Sequence, residues 1–189
     1  MENVVKIQTT VYEAVIEEFN LKGLKFTMDD IAKRMGMSKK TLYQLFSDKE
    51  ELFLKTIHYG FDVVKQSEFE ILNNQKLDVI EKIRRIIIAM PERYRNVDFR
   101  KLSELRERYP KVYRQVEERI ENDWDATLDL LKTGMEQGKI RKINLVVLKA
   151  MIEASIEHFL ETTLLIEEKI SYEEALNEMI EIIMKGIVL

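Results

Sequence analysis

MGMSKKTLYQLFSDKEEL, residues 35–52, is the stretch of this sequence that decides its fold. Gly36 is a residue type that ends helices, and Ser38 is a residue type that caps the start of the next one. A second stop follows at Ser47, so the segment between Ser38 and Ser47 is predicted to be one very short helix. A short helix after a glycine-containing turn is typical of a helix-turn-helix unit.

The two faces of this short helix differ in chemistry. At about 100° per residue, four side chains that can touch DNA share one arc: Lys39, Lys40, Tyr43 and Gln44. The apolar side chains share the opposite arc: Leu42, Leu45 and Phe46. The helix is therefore predicted to pack on one side and to present cations and hydrogen-bonding groups on the other.

Helical periodicity extends over the rest of the chain, with almost no strand alternation. A first helix should stop near Gly23, and a second should begin behind Thr27 and end at Gly36. The remaining predicted helices run from Ser47 to 73 with a Ser47/Glu50 capping box, over 77–95, over 98–107, from Pro110 to Gly138, over 145–167 behind Asn144, and over 172–187 behind a Ser171/Glu174 capping box. The sequence thus predicts an all-α fold with no solenoid repeat.

The composition limits the possible functions. The chain has 189 residues, no cysteine and a formal net charge of −4. The missing cysteines exclude disulfides, thiolate metal sites and thiol redox sensing. The first residues do not form a secretory signal pattern, and no apolar run reaches the roughly 20 residues that a membrane helix needs. We therefore expect a cytoplasmic protein without a membrane partner.

Positive charge is concentrated locally. Residues 1–60 contain nine Lys or Arg and nine Asp or Glu, so the acidic excess lies further along the chain. Within 33–49, by contrast, five cations accompany only Asp48: Lys33, Arg34, Lys39, Lys40 and Lys49. Lysines can neutralise phosphates or reach guanine edges, and glutamine can pair with adenine. The alternative interpretation of these lysines is an ordinary solvated helix face.

The pattern across the first quarter of the chain resembles that of the TetR family of transcriptional regulators. The residues that carry the resemblance are Gly23, Thr27, Ile31-Ala32, Gly36-Met37-Ser38, Thr41-Leu42-Tyr43, Phe46 and Lys49-Glu50-Glu51-Leu52. The resemblance implies a helix-turn-helix DNA-binding domain over residues 1–47. It also implies an all-helical domain over 48–189 that binds a small-molecule effector and forms a homodimer through the helices near 145–167 and 172–187.

The resemblance also implies which residues contact an operator. Carried over position by position, the contacts fall on Thr27, Ser38, Lys39, Lys40, Tyr43, Gln44 and Lys49. Lys40 stands where many family members have a small residue. The expected function is a repressor that binds a palindromic operator and is released by an effector.

Other kinds of site are weaker in this sequence. Large apolar and aromatic side chains suggest an apolar or aromatic effector: Met90, Tyr94, Tyr109, Tyr113 and Trp124. His58 and His158 lack the Glu-x-x-His spacing of a helical metal site, so no metal or other cofactor is expected. No set of carboxylates stands out for catalysis, which disfavours an enzyme. A helical module that binds another protein through the same head is the remaining alternative.

Overall fold

The computed structural model describes residues 2–91, 94, 97, 101 and 104–189. Among these residues every regular element is a helix, apart from an isolated β-bridge between Ile140 and Val188. The helices are α1 (Glu2–Lys22), a 3₁₀ turn (Gly23–Lys25), α2 (Met28–Arg34), α3 (Lys39–Leu45), α4 (Lys49–Asn73), α5 (Val79–Ile87), α6 (Glu104–Arg108), α7 (Pro110–Asn122), α8 (Asp125–Glu136), α9 (Leu145–Glu161), α10 (Leu164–Glu167) and α11 (Tyr172–Ile187). The all-α fold is confirmed. No helix in this part of the chain is both long and apolar enough to cross a membrane.

The chain divides into two compact units. Unit 1 contains Met1–Asp62 and Lys101–Val116, and unit 2 contains Val63–Arg100 and Glu117–Leu189. Helix α4 begins in unit 1 and ends in unit 2. Unit 1 therefore includes the first half of α4 and a later segment, whereas the sequence predicted a DNA-binding domain of residues 1–47 and a second domain of 48–189. That functional division stays a prediction.

The core of unit 1 is built from the inward faces of its short helices. Its fully buried side chains come from α1 to α4 and from the 101–116 segment: Val11, Leu24, Phe26, Ile31, Leu42, Phe46, Leu52, Leu105 and Val112. Phe53 of α4 is the central ring, since it packs against Phe19 at 6.0 Å, Phe26 at 5.2 Å and Tyr109 at 5.9 Å between ring centroids. Offset and edge contacts at these distances stabilise aromatic clusters. This cluster fixes α4 against the chain before α2.

The start of α4 differs from the prediction. Ser47 does not cap it, and Glu50 does not complete a capping box. The Asp48 carboxylate instead accepts a hydrogen bond from the main-chain N–H of Glu51 at 2.8 Å, while the Glu51 carboxylate accepts one from the N–H of Ser47 at 2.6 Å. The cap lies one residue later because aspartate is at least as good an N-cap as serine.

Helix α5 is shorter than predicted. α5 ends at Ile87 rather than at 95, and Ile88 has left the helical region with φ −116° and ψ 28°. Pro91 contributes to the early end, since proline has no N–H to donate to the carbonyl of Ile87 and disfavours helical backbone at Met90. Among the described residues α6 covers Glu104–Arg108, in the region where a helix over 98–107 was predicted. The predicted helical residues 92, 93, 95, 98–100, 102 and 103 lie outside the described residues.

The long helix predicted from Pro110 to Gly138 is two helices, α7 and α8. The indole N–H of Trp124 donates to the carbonyl of Ile120 at 2.7 Å, and the ammonium of Lys65 donates to the carbonyl of Asp123. Side-chain donors therefore replace the main-chain donors that would continue the helix. Neither glycine nor proline stands at the break, so the sequence carried no signal for it.

The predicted helix over 145–167 is also two helices, α9 and α10. Thr162 has extended backbone with φ −80° and ψ 142°, and its hydroxyl accepts a hydrogen bond from the N–H of Leu164 at 3.2 Å. A threonine that bonds the main chain two residues ahead competes with helix continuation. The caps at Asn144 and at Ser171, with its Glu174 capping box, are as predicted.

The core of unit 2 is large and mainly aliphatic. Its buried members come from α5, α8, α9 and α11, with Trp124 and Ile140 between helices: Ile83, Ile86, Ile87, Trp124, Leu131, Ile140, Leu148, Ile152, Leu176, Met179, Ile180, Met184 and Ile187. Gly134 allows α8 to approach α5, because a Cβ at this position would lie 3.0 Å from a methyl group of Ile83.

Candidate nucleic-acid interface

Helix α3 presents the faces that its sequence predicts. Leu42 is fully buried, and so is Phe46, which follows the helix. The opposite face is exposed, and its side chains are Lys39, Lys40, Tyr43 and Gln44. The hydroxyl of Ser38 caps the helix by accepting a hydrogen bond from the N–H of Thr41 at 3.0 Å. Burial of Leu42 and Phe46 thus holds α3 with its row of polar side chains exposed, where a ligand can bind them.

The turn before α3 depends on Gly36. This residue has φ +62°, a conformation that only glycine adopts without strain. Its N–H donates to the carbonyl of Lys33 at 3.1 Å, and the N–H of Met37 donates to the carbonyl of Ala32 at 3.0 Å. These two bonds close the end of α2. The turn therefore sets the direction in which α3 leaves α2.

Helix α2 begins at a closed hydrogen-bond network around Thr27. The Thr27 hydroxyl accepts from the N–H of Asp30 at 3.2 Å, and the Asp30 carboxylate accepts from both the N–H and the hydroxyl of Thr27 at 2.8 Å. Lys22 also donates to Asp30 at 2.8 Å. Hydrogen bonds from Lys22, and then from Thr27, hold the pKa of Asp30 well below its usual range. The predicted contact residue Thr27 is thus also the N-cap of α2.

Two of the five cations in the basic segment are occupied by carboxylates. Arg34 forms ion pairs with Glu17 at 2.6 Å and with Glu18 at 2.7 Å, which joins α2 to α1. Lys33 pairs with Asp29 at 2.9 Å on the same helix. Lys39 and Lys40 form no ion pair within the part of the chain that the structure describes. Within the described residues, these two lysines are therefore the unpaired positive charges of the exposed α3 face.

Lys49 makes internal contacts in this structure, and its predicted role as a phosphate contact stays a prediction. The ammonium of this residue donates to the main-chain carbonyls of Leu24 at 2.6 Å and Phe26 at 2.5 Å. It also lies 4.2 Å from the centroid of the Phe26 ring. Burial, together with the positive charge of Arg108, lowers the pKa of Lys49. Its ammonium is directed into the protein, because the two carbonyls offer it internal acceptors.

The predicted effector residues fall into both units. Tyr109 and Tyr113 belong to unit 1, where Tyr109 packs on Phe53 and Tyr113 is buried beside the guanidinium of Arg106 at 5.7 Å. Met90, Tyr94 and Trp124 belong to unit 2. Tyr94 and Trp124 are buried, and Met90 packs against the apolar core. The prediction that the five side chains share one binding site stays a prediction.

Part of the apolar surface of unit 2 is exposed in a regular pattern. On α9 the exposed side chains Val146, Ala150 and Ala154 recur every four residues, beside exposed Met151. On α11, Ile182 is 71% exposed. Small and apolar residues at this spacing form one stripe along a helix. An uncovered stripe of this kind is typical of a helix-to-helix interface.

Comparison with known proteins agrees with this geometry. The family model described as bacterial regulatory proteins, tetR family, matches residues 11–56. These residues run from within α1 to within α4, so the match contains the whole α2–turn–α3 arrangement. The uncharacterised HTH-type transcriptional regulator YvaF of Bacillus subtilis (strain 168) is 28% identical over 166 residues, which cover 88% of this chain and 87% of YvaF.

Solved structures share the fold over nearly the whole chain. The TetR family transcriptional regulator PfmR from Thermus thermophilus has a TM-score of 0.63 at 19% identity, covering 93% of this chain and 97% of PfmR. A transcriptional regulator of the TetR/AcrR family from Thermobifida fusca has a TM-score of 0.64 at 18% identity, covering 95% and 97%. Residues 11–56 of the chain therefore match the tetR family of bacterial regulatory proteins, and nearly the whole chain shares the fold of solved TetR-family regulators.

Proposed function

We propose that this regulator is a cytoplasmic repressor that binds a palindromic operator as a homodimer and is released by a small molecule. The observation that carries the proposal is the exposed face of α3, which is anchored by buried Leu42 and has lysines without ion partners among the described residues. The proposed operator contacts are Thr27, Ser38, Lys39, Lys40, Tyr43 and Gln44. Lysines bind phosphate or guanine edges, and Gln44 suits an adenine edge.

The DNA test uses the purified protein and the DNA upstream of its own gene. Replacing Lys39 and Tyr43 together by alanine should weaken binding strongly, and the binding that remains should depend less on salt, because phosphate contacts release counterions. The matched control is Lys132→Ala, which removes an exposed lysine of α8 that pairs with Asp129. Equal binding by the double variant and the control would contradict the proposed DNA-binding face.

We propose that α9 and α11 pair with their copies in the homodimer. The support is the stripe of exposed Val146, Ala150 and Met151 on α9 together with exposed Ile182 on α11. Ala150→Glu would place a charge in the centre of that stripe, and burying an unpaired charge is costly. Light scattering should give twice the 22.5 kDa mass of one chain for the wild type and for the control variant Lys76→Glu, which lies on the loop between α4 and α5. Ala150→Glu should instead have the mass of one chain. A wild-type mass of one chain would contradict the dimer.

A dimer would explain how an effector controls DNA binding. Two recognition helices must lie roughly 34–36 Å apart to enter successive major grooves. An effector that binds the protein more tightly at one spacing of these helices than at another increases the population with that spacing. The size of the shift is set by the difference between the two affinities. Since α4 is continuous from unit 1 into unit 2, we propose that it carries this change.

We propose an apolar or aromatic effector, bound in unit 2 near Met90, Tyr94 and Trp124. The support is the aliphatic and methionine-rich composition of the unit 2 core, in which Trp124 is buried and against which Met90 packs. A competition assay with operator DNA would compare apolar and aromatic compounds with highly charged metabolites. Release of the DNA by charged metabolites alone would contradict this assignment.

A further inference from the structure

Lys49 lies at the junction between two helices of the DNA-binding unit. It is the first residue of α4, and its ammonium donates to the carbonyls of Leu24 and Phe26. Leu24 belongs to the 3₁₀ turn after α1, and Phe26 comes directly before Thr27, the N-cap of α2. One side chain therefore joins the start of α4 to the short connection that leads into α2.

Two aromatic rings lie beside this half-buried ammonium. The Phe26 ring centroid lies 4.2 Å from Nζ and the Tyr109 ring centroid lies 5.8 Å from it. Phe53 contacts both rings, at 5.2 Å from Phe26 and 5.9 Å from Tyr109. A cation over aromatic faces is stabilised by the ring quadrupoles, more strongly where water is excluded. The surroundings of Lys49 thus replace the hydration that its charge loses.

Withdrawal of the ammonium would leave two acceptors without their donor. Hydrogen bonds from a charged donor are stronger than neutral ones, and buried carbonyls that lose a partner carry a desolvation cost. A phosphate would therefore have to compete with an internal site that is already complete. Lys39 and Lys40 face no such competition, since the structure shows no internal acceptor for them among the described residues.

We infer that Lys49 is a positioning residue, which fixes the entry of α2 relative to α4 and so determines the placement of Thr27, the turn and α3. This inference rests on the proposed DNA-binding function and identifies how one of its cations acts. Lys49 supports operator binding through the protein's own backbone and contributes no phosphate contact. Its loss should weaken binding without changing the number of counterions released.

The test compares Lys49→Met with Lys39→Met in operator titrations at several salt concentrations. Methionine keeps an unbranched apolar side chain on the Phe26 ring but removes the charge and its donors. We expect Lys49→Met to bind at least about fivefold more weakly, within the range of coupling between linked sites, with the wild-type salt slope. Lys39→Met should reduce the slope by about 0.9 for each copy, or about 2 for a dimer.

Hydrogen exchange in the free protein gives a second measurement. In Lys49→Met the amides of residues 24–31 should exchange faster while those of the α1 centre keep their protection, and Lys39→Met should change neither. Circular dichroism at the assay temperature would verify folding. Lys49→Gln, which keeps an N–H donor without the charge, replaces Lys49→Met where that variant does not fold, and it should keep the wild-type slope.

The outcomes separate the possible failures. A reduced salt slope for Lys49→Met, matching Lys39→Met, would overturn the inference in favour of a phosphate contact, and so would unchanged affinity. Faster exchange throughout unit 1 would overturn it in favour of a general role in stability. No DNA binding by the wild type would instead refute the proposed function, while the exchange of residues 24–31 would still report whether Lys49 holds this connection.

Discussion

Arg34→Met should destabilise unit 1 far more than the neighbouring substitution Lys33→Met. Both residues are cations in the last turn of α2, and both form ion pairs. The partners differ, because the Glu18 side chain is only 7% exposed whereas Asp29 lies at the surface at 47%. The comparison therefore tests whether burial of the carboxylate, rather than the presence of a pair, decides the contribution of these cations.

The size of the effect follows from the exposure of each group. Breaking a fully buried pair costs about 3–5 kcal/mol. Arg34 is itself 32% exposed and Glu18 keeps Lys22 at 3.0 Å, so we expect a smaller loss of about 2 kcal/mol. Lys33 is 76% exposed, and we expect its loss to have little effect on stability, because surface ion pairs contribute little. A difference of this size is well above the error of an unfolding measurement.

The assay must separate the two units. Trp124 is the single tryptophan and lies in unit 2, so its fluorescence follows that unit. Circular dichroism gives the unfolding temperature of the whole helical chain, and hydrogen exchange of the α1 and α2 amides follows unit 1. We expect Arg34→Met to lower the unfolding temperature and the α1–α2 protection with little change in the tryptophan transition. Equal stability of the Arg34 and Lys33 variants would refute the reasoning from burial.

Three further predictions concern single groups. Hydrogen bonds from Lys55 and the Ser47 main chain lower the pKa of Glu51 to about 2 from an ordinary 4.5. The ionised Glu51 therefore stabilises the fold above pH 4.5, and this stabilisation is lost as the pH falls towards 2. In Glu51→Gln the melting temperature should depend less on pH between these two values. Gly36→Ala should cost about 1–2 kcal/mol because φ is +62°, although a Cβ at this site would meet no other atom. Gly60→Ala, at a site inside α4 with equal space, should stabilise by about 0.5–1 kcal/mol because alanine loses less conformational freedom in a helix. Opposite shifts in the two melting temperatures would verify this, and equal shifts would contradict it. Trp124→Phe should destabilise unit 2 by about 1–2 kcal/mol, because the Ile120 carbonyl loses its indole donor. Urea unfolding followed by circular dichroism would measure this loss. Unchanged stability would show that this hydrogen bond does not stabilise the break between α7 and α8.

The local chemistry of helix ends explains why unit 1 could be predicted in detail. Gly36 and the caps Thr27 and Ser38 act on residues within four positions along the chain, so their effects are visible in the sequence. The apolar spacing around Leu42 likewise determined which face of α3 is buried. The N-cap of α4 was predicted at Ser47 but lies at Asp48, because the two residues are neighbours and both residue types cap helices well.

The breaks in the later helices could not be predicted in this way. α7 ends where Lys65, more than fifty positions earlier, donates to the Asp123 carbonyl and where the Trp124 indole turns back to Ile120. The hydrophobic stripe continues across the break, so periodicity predicted one helix. The effector residues stay a prediction for a related reason: Tyr109 and Tyr113 pack within unit 1, and an apolar side chain is equally consistent with a structural role and with ligand binding.

The largest difference between the sequence-based prediction and the structure is the number of cations that are available to bind DNA. The basic segment has five cations, yet Arg34 and Lys33 hold carboxylates and Lys49 holds two carbonyls, which leaves Lys39 and Lys40. Each neutralised phosphate contributes about 0.9 to the salt slope, so two lysines per head give about 4 for the proposed dimer and five cations would give about 9. A measured slope near the larger value would mean that the paired cations leave their partners on the operator. A slope near the smaller value would mean that the intramolecular pairs persist, because groups already satisfied inside the protein gain little by moving to a phosphate.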